Sequence, residues 1–401
     1  MDKIKHRDAL TCIPSHASVY LHIPFCEQCC DYCDFYSIVV PPTDERLDSY
    51  VDTLLADAKE QIHTFALTHL VSLYIGGGTP SLLGPQRLSR LVTGITALSA
   101  APLVEITVEV NPQSLSRTFL EVCEASGVSR ISIGVQTFDQ RSRQAVHRAG
   151  SSAQVKQGLE LCAELFPSAF SVDLMSGLPF QTEDALASDI ETVLLYKPAH
   201  IALYALTVEP GSCLEPLLPD QDSADALFIQ GCALLETAGY EQYEVSNFAL
   251  PGKRSVHNIR YWRMEQWIGC GAGASGTIID EGAGTGFRLT YRADADAYLH
   301  NRHSCYTREA LNRKTLIKET VLMGFRYAHG PDLRLFKRRF GIELAACIPR
   351  TLVRWQDKMV RASSYDCLPS HVYALSHEGL LFLNAFLHDA FDEIDLTVPD
   401  S

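Results

Sequence analysis

Short runs of β-branched and other apolar residues recur through the first half of the chain, at Ser18–Ile23, Val71–Ile75, Val104–Val110, Arg130–Val135, Phe170–Leu174 and His200–Leu206. Between them, Glu45–Phe65, Pro85–Leu98, Ser114–Ala125, Ala153–Leu165 and Glu183–Leu195 carry apolar residues at the spacing of an amphipathic helix. Strand and helix alternating in this way predict right-handed βαβ units around a parallel sheet, open or partly closed as a barrel. Active sites in such barrels are built from the loops at the C-terminal strand ends. The loop after Ile23, Gly76–Pro80, Asn111–Pro112, Gln136 and Ser176–Pro179 are therefore expected on one rim.

The pattern changes after Pro198 and Pro210-Gly211. From about Ala224 it reads as a helix, then a Gly-rich loop and short irregular pieces. From Arg313 to Ala390 it reads as mostly helical, with a small hairpin at Tyr373–Leu375 and a last helix over Glu378–Phe391; the acidic stretch Asp389–Asp400 reads as a solvated end. Three divisions are expected, over residues 1–223, 224–312 and 313–401.

Composition narrows the class. With 401 residues, 46% hydrophobic and 20% charged, the chain can bury a large core. A formal charge of −14 argues against a broad phosphate-binding face, so nucleic acid is not an expected partner. The N-terminal stretch has no apolar core of a signal peptide, and no run is long enough to cross a bilayer, which together point to the cytoplasm. The 13 cysteines are an odd number and mostly scattered singly, the usage of reduced core thiols.

Four of those cysteines are not scattered. Cys26, Cys30 and Cys33 form a C-x3-C-x2-C loop directly after the first strand, with Cys29 between. Three thiolates can hold three irons of a [4Fe–4S] cluster and leave the fourth without a protein ligand. A structural zinc site normally shows two separated ligand pairs, and adjacent cysteines rarely aim at one metal, so Cys29 reads as a bystander. Zinc and redox-active thiols stay open as alternatives on spacing alone.

The run Gly76-Gly77-Gly78-Thr79-Pro80 removes side chains where a strand ends, which lets backbone groups approach a ligand. Glu109, Asn111 and Gln136 end the next strands, and with Arg148 and Asp173 they offer acceptors for hydroxyls and an amine and a donor fork for a carboxylate. That combination suits S-adenosylmethionine.

Tyr20-Leu21-His22-Ile23-Pro24-Phe25-Cys26 through Cys33-Asp34-Phe35, the Gly76–Pro80 run, Glu109-Val110-Asn111-Pro112, Ile133-Gly134-Val135-Gln136 and Asp173 to Pro179 together resemble the radical SAM proteins related to oxygen-independent coproporphyrinogen III oxidase. The resemblance covers nearly the whole chain. It implies an α/β fold, a partial (β/α)6 TIM-like barrel with a small, mostly helical C-terminal domain. It implies that Cys26, Cys30 and Cys33 ligate a [4Fe–4S] cluster and that Tyr20 and Tyr32 border S-adenosylmethionine. Gly77, Gly78 and Thr79 would meet the methionine end, and Glu109, Gln136, Arg148 and Asp173 would surround the amino and ribose groups.

Two features separate branches of that family. The oxidases carry a fourth cysteine two positions after the third, where this chain has Phe35, and Cys-Asp-Phe is similar to the HemW-like heme chaperones. His257-Asn258-Ile259-Arg260-Tyr261-Trp262 matches the H-N-x-x-Y-W motif of that branch. The resemblance thus implies heme as a further ligand, met by His257, Asn258, Tyr261 and Trp262. It implies a heme-accepting hemoprotein as partner and allows a homodimer. Radical decarboxylation of coproporphyrinogen III is the alternative, and whether the chain is an enzyme stays open. The loop Gly269–Gly276 reads as flexible and near the site, with Ser275 where the family usually has histidine.

Overall fold

In the computed structural model, which describes residues 12–360 and 373–399, the six expected strands form consecutive parallel neighbours. They are β1 (His16–Ile23), β2 (His69–Gly77), β3 (Glu105–Val110), β4 (Arg130–Gln136), β5 (Phe170–Ser176) and β6 (His200–Ala205). Alternation along each strand sends Val19, Leu21, Leu73, Ile75, Val108, Ile131, Ile133, Val172, Ile201 and Leu203 into one apolar core. The crossover helices cover that face. Helix Arg46–Thr64, for example, buries Leu47, Tyr50, Val51, Leu54, Ala58 and Ile62, a single stripe at helical spacing. Side-chain caps fix several helix starts: Ser116, Thr182 and Asp220 each accept from a first-turn amide, and Ser151 with Gln154 forms a capping box.

The opposite face of the six strands is polar and concave. Tyr20, Tyr74, Glu109, Ser132, Asp173 and Tyr204 lie at its alternate positions, and residues of β2 through β6 line one cavity there. This is the partial barrel of the sequence reading.

The region after Ala224 is more ordered than its sequence suggests. Residue 224 lies inside helix Gln221–Thr237, so a division at 223/224 cuts a continuous element. Strands β7 (Glu241–Glu244) and β8 (Asn247–Ala249) extend the β6 edge antiparallel. β9 (Trp267–Cys270) adds parallel to β1, and β10 (Ser275–Asp280), β11 (Thr285–Tyr291) and β12 (Tyr306–Leu311) continue antiparallel. The result is one 12-stranded sheet of order β12-β11-β10-β9-β1-β2-β3-β4-β5-β6-β8-β7.

The Gly-rich segment is a buried turn, not a flexible loop. The Cα of Gly269 and Gly276 sit where side chains would strike the facing backbone, and Ala272 N–H donates to the Tyr50 hydroxyl at 2.9 Å. Ser275 opens β10 and bonds Leu289 O at 3.2 Å, so it serves sheet pairing away from the cavity.

From Arg313 the chain builds a second core of Leu316, Val321, Phe325, Phe336, Phe340, Phe386 and Ile394, which also takes in Met264, Ile279 and Leu311. Most of the hairpin expected at Tyr373–Leu375 would need residues 361–372, outside the described residues; Leu375 makes one antiparallel bridge, to Met359. The last helix is broken at Leu381-Phe382 into His377–Leu380 and Leu383–Thr397. The acidic end is not a free tail. Glu393 is buried and accepts from Arg350 and Thr351 amides at 2.9 and 2.8 Å, because its carboxylate caps the start of helix Pro349–Arg354.

Candidate active site

The cysteine loop is a hoop tied at its base. Phe25–Cys26 pairs in parallel with Ile38–Val39, Val40 N–H donates to Cys26 O at 2.9 Å, and His22 Nε2 meets Tyr36 O at 2.9 Å. Its far side docks on the segment after β4 through Asp31 N–H to Val146 O at 3.2 Å. Cys26, Cys30 and Cys33 then line a cavity of about 400 Å³ together with Tyr32, Gly77, Gly78, Thr79, Glu109, Gln136, Arg148 and Asp173. Eleven residues nominated from sequence thus meet in one cavity. Tyr20 is not in its wall; it lies deeper on β1, with its hydroxyl on His22 Nδ1 at 2.9 Å.

The glycine run makes room for the thiols. A Cβ on Gly78 would come within 2.8 Å of Phe25 O and 3.0 Å of Cys26 Sγ. Thr79 Oγ1 donates to Cys26 Sγ at 3.5 Å, and Arg148 Nη1 reaches Cys30 Sγ at 3.6 Å. Burial pushes the Cys33 thiol up to about 11 and raises Cys26 as well, so at neutral pH both are protonated until a metal displaces the proton. Among the described residues no three His, Cys, Asp or Glu side chains gather about one ion position. All three thiols nevertheless line one cavity, which is what three ligands of one cluster require. Cys29 lines the same cavity, with its Sγ 3.5 Å from Ser37 Oγ, which lines it too.

The carboxylates are half-buried on the strand wall. Glu109 accepts from Tyr74 O–H at 2.6 Å and from Gly77 N–H at 3.0 Å; burial nevertheless raises its pKa against those two bonds. Asp173 is pushed up to about 7, first by burial and then by the nearby Glu109 charge, while Ser132 Oγ donates to it at 3.3 Å. Arg148 spans the gap, with Nη2 donating to Gly134 O at 2.5 Å and to Asn111 Oδ1. Gln136 reaches the cavity from a residue with φ of 69°, at a register shift between β4 and β5. Such a left-handed non-glycine costs of order 1–3 kcal/mol. The set offers anionic acceptors for a cationic ligand, a guanidinium, and open backbone along glycine.

Sequence reading missed Tyr204, Ser132 and Met175, which also line the cavity. For two of them the period-2 alternation is itself the signal, since Ser132 shares a strand face with Gln136 and Met175 with Asp173.

The imidazole expected to meet heme is enclosed. His257 is 1% exposed on helix Val256–Trp262, which closes the end of the barrel away from the cysteines. Its Nδ1 bonds Ser72 Oγ at 2.9 Å, and the Tyr74 and Tyr261 rings lie 5.1 and 4.7 Å away. Burial drives its pKa down to about 3, and its Nε2 has no hydrogen-bond partner among the described residues. Trp262 packs on Tyr243 and Tyr327, and neither Asn258 nor Tyr261 lines the cavity. Glu105 holds the helix start, accepting from Val256 and His257 amides at 3.0 and 2.9 Å.

A family profile described as the radical SAM superfamily matches residues 20–193. The chain is 33% identical to the heme chaperone HemW of Bacillus subtilis over 92% of its own length and 97% of that protein's. It is 38% identical to heme chaperone HemW of Escherichia coli over 65% of this chain and 70% of that one. A bovine protein called radical S-adenosyl methionine domain-containing protein 1, mitochondrial, is 33% identical over 92% of this chain and 82% of its own. Among solved structures, coproporphyrinogen III oxidase (HemN) of Escherichia coli superposes with a TM-score of 0.77, covering 95% of this chain and 90% of that one at 22% identity.

Proposed function

Because the chain belongs to the radical SAM superfamily and, within it, to the family of the HemW heme chaperones, we propose that it binds a [4Fe–4S] cluster, S-adenosylmethionine and heme and passes heme to a hemoprotein. The observation that carries this reading is the single cavity in which three thiols, a bare glycine edge, two carboxylates and Arg148 face one another. Cys26, Cys30 and Cys33 would hold the cluster. Such a cluster supplies a redox-active iron with one position open to a chelating ligand.

The chain's own residues do the rest. Gly77 and Gly78 offer backbone to the amino-acid end of S-adenosylmethionine, and Glu109 and Asp173 oppose its positive charges. Tyr32 and Gln136 border the nucleoside side. Arg148 stands between the thiol of Cys30 and Asn111, where it fixes the loop against the wall and offsets thiolate charge. Phe35, 65% exposed at the cavity mouth, stands where the oxidases resembling this chain carry a fourth cysteine, and favours the carrier over the oxidase.

The test is an anaerobic titration of the cluster-loaded chain with hemin, followed at the Soret band, beside an assay for decarboxylation of coproporphyrinogen III. Saturable one-to-one heme binding without decarboxylation is expected. Turnover of coproporphyrinogen by a chain that does not retain heme would overturn the proposal in favour of the oxidase.

A further inference from the structure

We propose that Tyr74 is a positioning residue for S-adenosylmethionine, its phenol aiming the Glu109 carboxylate at the cationic end of the ligand; the proposal rests on S-adenosylmethionine as the occupant of the cavity.

Glu109 lines the cavity from β3, and both groups that hold its carboxylate come from the neighbouring strand, β2. Tyr74 O–H donates to Oε1 at 2.6 Å, and Gly77 N–H donates to Oε2 at 3.0 Å. One donor on each oxygen fixes the plane of the carboxylate and leaves further lone pairs for a ligand. The amide is a backbone group that most residues at position 77 would supply, whereas the phenol depends on Tyr74. Its ring is packed between Tyr20, with centroids 6.2 Å apart, and His257, at 5.1 Å. The hydroxyl of Tyr20 meets His22 Nδ1 at 2.9 Å, so the phenol that holds Glu109 is that of Tyr74.

The glycine run makes room for this pair. A Cβ on Gly77 would strike His22 and one on Gly78 would strike Phe25 O, but one on Gly76 would lie 2.8 Å from Glu109 Cδ, from Glu109 Oε2 and from Tyr74 Cε1. The first glycine of the run thus admits the carboxylate and the phenol together.

Both donors are neutral, so they orient the carboxylate without cancelling the charge that a sulfonium or an ammonium would meet. Burial raises the pKa of Glu109, and the bonds from Tyr74 and Gly77 act against that rise. The other titratable groups that face it are Tyr20 on β1, Asp173 on β5 and Tyr204 on β6, while Arg148 acts on Asp173. Removing the phenol donor takes away one of the two bonds that favour the ionised form. Glu109 then takes up a proton at higher pH, and a neutral Glu109 no longer opposes a cation.

The experiment measures the affinity of the full-length, cluster-loaded chain for S-adenosylmethionine by anaerobic equilibrium dialysis between about pH 6 and 8. The chains compared are the parent, Tyr74→Phe, Glu109→Gln and the double variant. Phenylalanine keeps the ring and its packing, and iron–sulfur absorbance and circular dichroism verify the cluster and the fold. Tyr74→Phe is expected to bind about tenfold or more weakly than the parent at pH 6, with the deficit narrowing toward pH 8. Added to Glu109→Gln, the same change is expected to have a smaller effect that does not vary with pH. Parent-like affinity of Tyr74→Phe across the range overturns the proposal. So does a weakening that is equal at every pH and is repeated in full in the Glu109→Gln background, which would make Tyr74 a packing residue. Either result leaves S-adenosylmethionine in the cavity. A parent that does not bind S-adenosylmethionine overturns the reading of the cavity and the proposal together.

Discussion

At the scale of single residues, the cavity couples thiols, carboxylates and one guanidinium closely enough that each has a separable signature. Cys30→Ala is expected to abolish iron–sulfur absorbance after anaerobic reconstitution, whereas Cys29→Ala keeps it, because Cys29 is exposed and meets Ser37 whereas the less exposed Cys30 is held by Arg148. Glu109→Ala is expected to weaken S-adenosylmethionine binding about 10- to 100-fold in equilibrium dialysis and to spare the cluster, since a charge-assisted hydrogen bond contributes about 1.5–3 kcal/mol. Asp173 carries a pH prediction. Its folded pKa of about 7 lies above the ordinary carboxyl value, so the folded chain binds more protons than the unfolded one between roughly pH 4 and 7. Asp173 therefore costs stability as pH rises through that window. Asp173→Asn should raise the melting temperature of the cluster-free protein at pH 8 more than at pH 5, and an equal shift at both would remove this carboxyl as the source. The cysteines were legible in sequence by their spacing, Glu109 by its place near a strand end, and Asp173 by the company of the others. Tyr204 was not: a tyrosine within an apolar strand reads as core, and only the closed sheet reveals that its face is the cavity.

Elements were legible where the pattern is long and two-sided. Strands β1 to β6 alternate between a helix-covered apolar face and the cavity, and the helices between them carry a single buried stripe. The ladder β9 to β12 lacked that clarity. Tyr306-Thr307-Arg308-Glu309-Ala310-Leu311 is composed largely of residues that favour helices, yet it forms the edge strand, where exposed charges block pairing with another sheet. The helix carrying His257 shows the reverse problem. Its motif reads as a ligand set, but a residue 150 positions earlier in the fold's hydrogen-bond network, Glu105, fixes it as a floor. Glu105 is 4% exposed and also meets Arg130 Nε at 3.1 Å, so removing it takes the carboxylate from a buried guanidinium and leaves two helix-start amides without their acceptor. Glu105→Ala is expected to cost about 3–5 kcal/mol in urea unfolding. A loss within the scatter of surface substitutions would mean that the floor is held by ring packing alone.

At the scale of the whole molecule, the C-terminal block is joined to the sheet through charges that neither side can leave unpaired. Glu244 on β7, its side chain 1% exposed, accepts from Arg326 at 2.6 Å; Arg339, equally enclosed, meets Glu281 at 2.7 Å; Arg288 on β11 meets Glu319 at 2.6 Å. Met264, Ile279 and Leu311 complete the same joint by entering the second core. None of this was readable from the sequence, where the change to a helical pattern near Arg313 marks a block but not what it rests on. A chain that stops at Asn312 would expose those three apolar side chains and leave Glu244 with Ser246 and Asn247 as its remaining partners, and the two losses arise together. It is expected to melt well below the full chain and to bind a hydrophobic dye. Arg326→Ala, which removes one partner and no core, should show the electrostatic part alone as a smaller loss of melting temperature. A truncated chain that melts with the parent would make the block a detachable accessory, and the barrel with its cysteine loop would then be stable without it.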